Sequence, residues 1–295
     1  MTNKVSLPSR IIIHAIFILF SLVCLIPLLI VVSISLTNEK SLLVEGYRLI
    51  PKQFSLTAYE YVLGGANSVL KAYGVTIFVT AAGTFLHLFV SSMLAYGLTR
   101  PEVKQRNKLS LFVYIPVLFN GGLIPYYITI TQTLHLKNTI WVLIATNVVS
   151  AVNILIMKNF FNTIPGSLIE SARIDGASEY RTFFKIVLPL STPSLATIGL
   201  FVAIAYWNDW MTCSLYIENQ NLITLQYLLQ SLMSNLDFLQ SNPNASESII
   251  RALGMLPNES ARMATCVLSI GPIILLYPVL QKYFEKGLTI GAVKG

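Results

Sequence analysis

A chain of 295 residues with 54% hydrophobic and 11% charged side chains lies outside the soluble range, where about a quarter of residues are charged. The net charge of +7 does not indicate nucleic acid, because the basic residues sit between long apolar runs and form no continuous basic face. The cysteines Cys24, Cys213 and Cys266 are too scattered for a metal site or a disulfide framework, and read as small apolar residues in or beside helices.

A spanning helix needs about 20 mostly apolar residues, and six stretches qualify. Ile11–Leu36 is the first, with His14 as its one ionisable group. Its apolar run is about twice that of a signal peptide and shows no small-x-small cleavage site, so it reads as an uncleaved span. Ala72–Thr99 follows and contains His87. The third, Leu109–Thr131, is interrupted by Pro116, Gly121, Gly122 and Pro125; the break either opens backbone toward a cavity or kinks the helix. Asn138–Met157 is the fourth, Pro193–Trp207 the fifth, and Met263–Leu280 the sixth, with Pro272 and Pro278 inside it.

Lysine and arginine alternate across these crossings, as the positive-inside rule requires. The segments before span 1, after spans 2 and 4, and after span 6 hold 13 of the 20 basic residues: Lys4 and Arg10; Arg100, Lys104, Arg106 and Lys108; Lys158, Arg173, Arg181 and Lys185; Lys282, Lys286 and Lys294. The pattern predicts a multi-pass protein of the cell (plasma or inner) membrane with both termini cytoplasmic. The expected organisation is a cytoplasmic tail over 1–10, a first transmembrane helix over 11–36, a five-helix core over 72–281 and a cytoplasmic tail over 282–295. The core includes a cytoplasmic loop over 158–190 and an external loop over 209–262, which ends in the polar patch Ser241–Ser248. A second external segment is Asn38–Lys71.

The loop over 158–190 carries the most information. Pro165 suits a helix's first turn and Gly176 its stop. Between them Ile164, Leu168 and Ala172 fall at i, i+4, i+8 with Ile169 beside them, an apolar stripe. Ser178 is a plausible N-cap for a second short helix. Tyr180, Phe183, Phe184 and Val187 follow on one helical face, and Leu188-Pro189 ends it. The chain thus leaves the membrane, forms an exposed helical elbow and re-enters.

Glu170-Ser171-Ala172, three residues, Gly176, nine residues, then Ile186-x-Leu188-Pro189 resembles the EAA loop of binding-protein-dependent ABC importer permeases. Every spacing fits, and Ser171 in place of alanine is the one departure. Arg173–Ser178 is similar to the carbohydrate-uptake branch, as are Asn159–Phe161, Trp207–Trp210 and the ending Tyr277–Gly295. Within that branch the chain looks like the oligosaccharide permeases of the maltose and polygalacturonan or alginate type.

The resemblance implies an all-α membrane protein with six transmembrane helices and a cytoplasmic coupling loop, the type I ABC importer permease fold. It implies a permease subunit that moves a sugar or oligosaccharide into the cytoplasm by alternating access. The partners implied are a cytoplasmic ABC ATPase dimer, a second related permease and an extracytoplasmic sugar-binding protein, in contact with membrane lipids and not with nucleic acid. The coupling residues would be Glu170, Ser171, Ala172, Asp175, Gly176, Ile186, Leu188 and Pro189. No cofactor is expected in this chain; ATP–Mg belongs to the partner subunits. The Lys286–Gly295 tail either reaches between the ATPases or is a frayed basic tail.

Sugars are bound by aromatic faces and by amide or carboxylate hydrogen bonds. Tyr206, Trp207, Asn208, Asp209 and Trp210 supply both and form either part of the substrate path or an interfacial aromatic belt. Asn147 and Asn153 either face the path or bond neighbouring helices. His14 and His87 read as neutral groups satisfied by packing. The sequence has no G-x-x-x-x-G-K-[ST] and no H-E-x-x-H, so the chain is expected to be a transport subunit and not an enzyme. An ion-coupled secondary carrier is the alternative reading. It would call for charged residues within spans and for internal repeats, which the sequence does not offer.

Overall fold

The computed structural model describes residues 7–64, 66–241 and 259–274. Among them the chain is helical throughout, apart from turns and one isolated antiparallel bridge, Thr37 to Phe54. It divides into two compact units: one of Met1–Ala66 with Leu229–Pro272, the other of Asn67–Leu228 with Ile273–Gly295.

The first unit opens with α1 (Leu7–Ser35), 29 residues long. At 1.5 Å per residue that is about 43 Å, longer than a hydrocarbon core of about 30 Å. None of its most apolar window is buried by the rest of the chain, as suits a helix solvated by lipid. The segment that follows, expected to be external, is folded. Asn38 caps α2 (Glu39–Glu45) by accepting from the Lys40 N–H at 3.0 Å, and Gly46 closes it. The segment returns through the Thr37–Phe54 bridge into α3 (Thr57–Leu63). Ser33 donates to the Arg48 carbonyl at 2.7 Å, and Ser35 meets the Tyr59 hydroxyl at 2.9 Å. The Glu39 carboxylate accepts from the N–H groups of Glu259 (3.0 Å) and Ser260 (3.1 Å) and from the Ser260 hydroxyl (2.7 Å). It thereby caps the helix over 259–274. This helix covers the described part of the sixth expected span; Pro278, like most of the polar patch over 241–248, lies outside the described residues.

The second unit is built on α4 (Ala66–Thr99), 34 residues long. The third expected span is not one helix. It is α5 (Arg106–Leu118) and α6 (Leu123–Ile128) with a π-turn over Thr129–Thr133, the two halves bent by 115°. Phe119 is extended, and Gly122 sits at φ 85°, a left-handed geometry that side chains resist. The fourth is also two helices, α7 (Ile140–Ala145) and α8 (Ala151–Phe161). The break follows from local chemistry. Ser150 is extended and caps α8 by accepting from the Asn153 N–H at 3.4 Å. Tyr206 and Tyr126 donate to the Ile144 and Thr146 carbonyls at 2.7 and 3.1 Å. These side chains add to the turn bonds by which the N–H groups of Thr146, Asn147 and Val148 reach the Val142, Ile144 and Ala145 carbonyls at 3.3–3.4 Å, so the interruption leaves its carbonyls paired, the condition for a broken helix at membrane depth.

After α8 come α9 (Gly166–Ile174) and α10 (Glu179–Thr182), a π-turn over Phe183–Val187 and α11 (Leu188–Leu190). A 78° bend then leads into α12 (Thr192–Asn208), the fifth expected span. The chain then passes through α13 (Met211–Tyr216) into α14 (Leu225–Ser241), whose residues from Leu229 onward belong to the first unit. Thus α1 and α4 are uninterrupted helices long enough to span, and the third and fifth spans qualify only as bent pairs.

The core joins these pieces. Ala95 of α4, Val142 of α7, Met157 of α8, Val187 and Cys213 are all fully buried in one cluster. Helices α4 and α12 approach closely at small residues: a Cβ on Gly83 would stand 2.5 Å from the Tyr206 ring, and one on Gly199 would stand 3.1 Å from Leu88.

Candidate functional site

The elbow has a sharply defined end. Pro165 is extended and stands one residue before α9, at the N-cap and not inside the first turn. At the other end the Ala177 N–H donates to the Ala172 carbonyl and the Gly176 N–H to the Arg173 carbonyl, both at 2.9 Å. These are the paired bonds of a Schellman motif. Gly176 takes φ 75° to make them, with open space around its missing Cβ. The glycine is therefore required by backbone conformation and not by crowding.

The buried side of α9 is Ile169 and Ala172. Leu168, expected on that stripe, is exposed, and Ile164 precedes the helix. The second aromatic face also divides. Phe183 and Val187 are buried, whereas Tyr180 and Phe184 are exposed. The π-turn is the reason: one extra residue per turn shifts the register, so a 3.6-residue pattern no longer places all four together. Nor does Leu188-Pro189 end the helix, which continues through Leu190.

Of the residues expected to couple, Ser171, Ala172, Asp175 and Ile186 line one open cavity of about 450 Å³ with Leu168, Arg181 and Lys185. Glu170 lines a separate cavity of about 280 Å³ with Arg100, Glu102 and Arg173. Leu188 is half-buried and Pro189 exposed.

A charged cluster unforeseen in the sequence fixes α9 to the end of α4. Arg173 pairs with Glu102 and, at 2.8 Å, with Glu179. The other Glu179 oxygen accepts from the Tyr96 hydroxyl at 2.6 Å. Arg100 lies 4.4 Å over the Tyr96 ring, and Phe183 tilts against that ring with centroids 5.1 Å apart. The Arg173 hydrogen bond holds the Glu102 carboxyl below its ordinary value. The Tyr96 hydroxyl does the same for Glu179, with Arg173 adding to it against the opposing effect of burial. The two carboxylates in turn raise Arg173. Tyr96 and Glu179 are 83 positions apart, so no local pattern reports their contact. The one available signal was an unexplained arginine between two acidic residues on a loop.

The second group of candidates sits among α4, α7, α8 and α12. His87 is buried, with Nδ1 2.8 Å from the Asn147 carbonyl and Nε2 3.0 Å from the Asn153 amide nitrogen. A carbonyl can only accept and an amide nitrogen only donate. This geometry suits a ring that donates from Nδ1 to the carbonyl and accepts at Nε2 from the amide. The Asn147 amide donates to Asp209 at 3.1 Å. Asp209 also accepts from the Thr212 N–H at 3.0 Å and the Thr212 hydroxyl at 2.6 Å, which caps α13. Asn147, Asn153 and Asp209 therefore form one polar row through His87. Tyr206 and Trp207 are buried in the core, whereas Asn208 and Trp210 are exposed. Asn208 bonds the Ile204 carbonyl of its own helix at 3.0 Å. His14 is exposed on α1. Among the described residues no group of histidine, cysteine and acidic side chains could hold a metal.

Comparison with known proteins gives a consistent picture. The profile of a family described as binding-protein-dependent transport system inner membrane component matches residues 2–290. The polygalacturonan/rhamnogalacturonan transport system permease protein of Bacillus subtilis (strain 168) is 38% identical over 283 residues, covering 96% of this chain and 97% of that protein. Protein LplC of the same organism is 37% identical over 273 residues, 92% of this chain and 90% of that one. Among solved structures, a chain of a bacterial ABC transporter involved in the import of the acidic polysaccharide alginate superimposes with a TM-score of 0.80 at 30% identity. That match covers 96% of this chain and 100% of the other. None of these matches favours an ion-coupled carrier.

Proposed function

The chain belongs to the family of binding-protein-dependent transport system inner membrane components, and from that premise we propose that α9 is the surface on which an ABC ATPase docks to drive oligosaccharide import through this permease subunit. Membership gives the class of machine: an ATP-driven importer whose permease works with an ATPase and a solute-binding protein. The observation that carries the docking assignment is the form of the elbow. It is a short helix ended by a Schellman motif at Gly176, with Glu170, Ser171 and Asp175 exposed at the spacing of the EAA loop.

In this reading the elbow and both termini are cytoplasmic, and six crossings are made, the third and fifth by bent pairs. The ATPase grips α9 through Leu168, Ser171 and Asp175. Its motion reaches α12 through the 78° bend at Ser191, beside Ile186, Leu188 and Pro189. A second, related permease completes the path, and the solute-binding protein delivers from outside. The substrate is an oligosaccharide, and the polygalacturonan and alginate of the relatives' names are the first to try. Asn147, Asn153, Asp209 and Trp210 offer the amide, carboxylate and aromatic groups that sugars take. ATP–Mg stays with the ATPase.

The test is co-purification with a candidate ABC ATPase from the same cell, comparing wild type with Gly176→Asp and Glu170→Ala. A β-carbon at φ 75° strains a left-handed conformation by up to about 1–2 kcal/mol, less for Asp than for other residues, and Gly176→Asp also sets a second carboxylate beside the exposed Asp175 on the docking face, so the variant should release the ATPase while the membrane fold persists. Unchanged co-purification and unchanged ATP-driven uptake in both variants would refute the assignment.

A further inference from the structure

We propose that Arg173 is a positioning residue that fastens α9 to the end of α4, so that the two move as one body when the ATPase displaces α9; the inference rests on the docking reading above. Arg173 stands on α9 but pairs on both sides of it. One partner, Glu102, belongs to the turn just after α4, and the other, Glu179, is the first residue of α10. Glu179 is held in turn by the Tyr96 hydroxyl of α4 at 2.6 Å, and the Tyr96 ring carries Arg100 and Phe183. The guanidinium therefore bridges two routes to the same helix. A planar forked donor holds two carboxylates in a fixed geometry better than a single ammonium does.

Packing between the two elements is incomplete. A half-open surface pocket of about 280 Å³ lies between them, lined by Thr99, Arg100 and Glu102 on one side and by Ile169, Glu170 and Arg173 on the other. Ile169 and Ala172 are the buried side chains of α9. With an open pocket beside so small an apolar contact, α9 is free to tilt without dragging α4, and the ion pairs reach across it. Arg173, Glu102 and Glu179 keep 38%, 48% and 49% of their side chains exposed, and pairs this open contribute little to folding stability. Their contribution lies in geometry, so removing them should uncouple the machine before it unfolds it.

The experiment uses the whole importer in proteoliposomes with its ATPase and loaded binding protein. Wild type is compared with Arg173→Gln, Arg173→Lys and Tyr96→Phe. ATPase retention, ATP hydrolysis and substrate delivered per ATP are read together. The expected result for Arg173→Gln is a retained ATPase with substrate per ATP lowered roughly tenfold, within the range single positions in a coupling network carry. Arg173→Lys should recover part of the loss, and Tyr96→Phe, which removes one hydroxyl and keeps the ring, should show a smaller loss of the same kind. Wild-type substrate per ATP in Arg173→Gln would overturn the inference. Should that variant fail to assemble, an unchanged ratio in Tyr96→Phe would overturn it equally. The docking reading fails separately, if Gly176→Asp keeps its ATPase and its uptake.

Discussion

Replacing Gly83 by alanine puts a methyl group where the Tyr206 ring already stands. The added carbon would lie 2.5, 2.7 and 2.8 Å from three ring atoms, so the ring must withdraw by about 1 Å to reach ordinary carbon–carbon separation. It is not free to do so. Tyr206 is 2% exposed and donates at 2.7 Å to the Ile144 carbonyl, the last turn of α7 before the chain breaks. Overpacking costs about 1–3 kcal/mol, and leaving the buried Tyr206 hydroxyl without its partner about 1–3 kcal/mol more. The gain in helix propensity from glycine to alanine returns up to about 1 kcal/mol. The net expectation is a loss of about 1–5 kcal/mol by these terms. Gly74 and Gly97 of the same helix have nothing within 4 Å of a built Cβ, and alanine there should be neutral or stabilising. Thermal unfolding in detergent, followed by monodispersity on size exclusion, compares the three. Should Gly83→Ala prove as stable as Gly97→Ala, the close α4–α12 contact and the fixed Tyr206 ring are both wrong. Tyr206→Leu in the Gly83→Ala background should relieve the clash and show strong non-additivity.

Two further results are expected besides the docking and uncoupling experiments. Glu39→Gln removes the charge that caps the helix over 259–274 through two N–H groups and a hydroxyl. It should cost about 0.5–2 kcal/mol, as helix caps do, and an unchanged melting temperature would show the cap to be idle. The carboxyls of Glu102 and Glu179 are held below their ordinary value of 4.5. Depressed folded values mean that their stabilisation is complete above about pH 4.5 and fades as the pH falls through the folded values. Because these side chains stay about half exposed, the difference is small: as the pH falls below about 4.5, wild type should lose slightly more stability than a Glu102→Gln, Glu179→Gln double variant, and a double variant that falls more steeply than wild type would disprove the paired carboxylates.

Much of this protein was legible in its sequence because lipid imposes local rules. An unbroken apolar run with no water nearby must bond its own backbone, so α1 and α4 followed from composition. The elbow was legible for a similar reason. Pro165, Gly176 and Ser178 act through their own backbone angles and nearest N–H groups, and each stands at a helix end. Tertiary contact decided the rest. Whether Asn138–Met157 is one helix or two depends in part on Tyr206 and Tyr126 reaching in from elsewhere to bond the carbonyls at the break. The π-turn over Phe183–Val187 shifts an aromatic register that a fixed period cannot anticipate. Arg173 reads in the sequence as one basic residue in a loop, and its role depends on carboxylates that the fold brings to it from the end of α4 and the start of α10. Helix ends and apolar runs are set by neighbours along the chain, whereas broken spans and ion-pair clamps are set by neighbours in space.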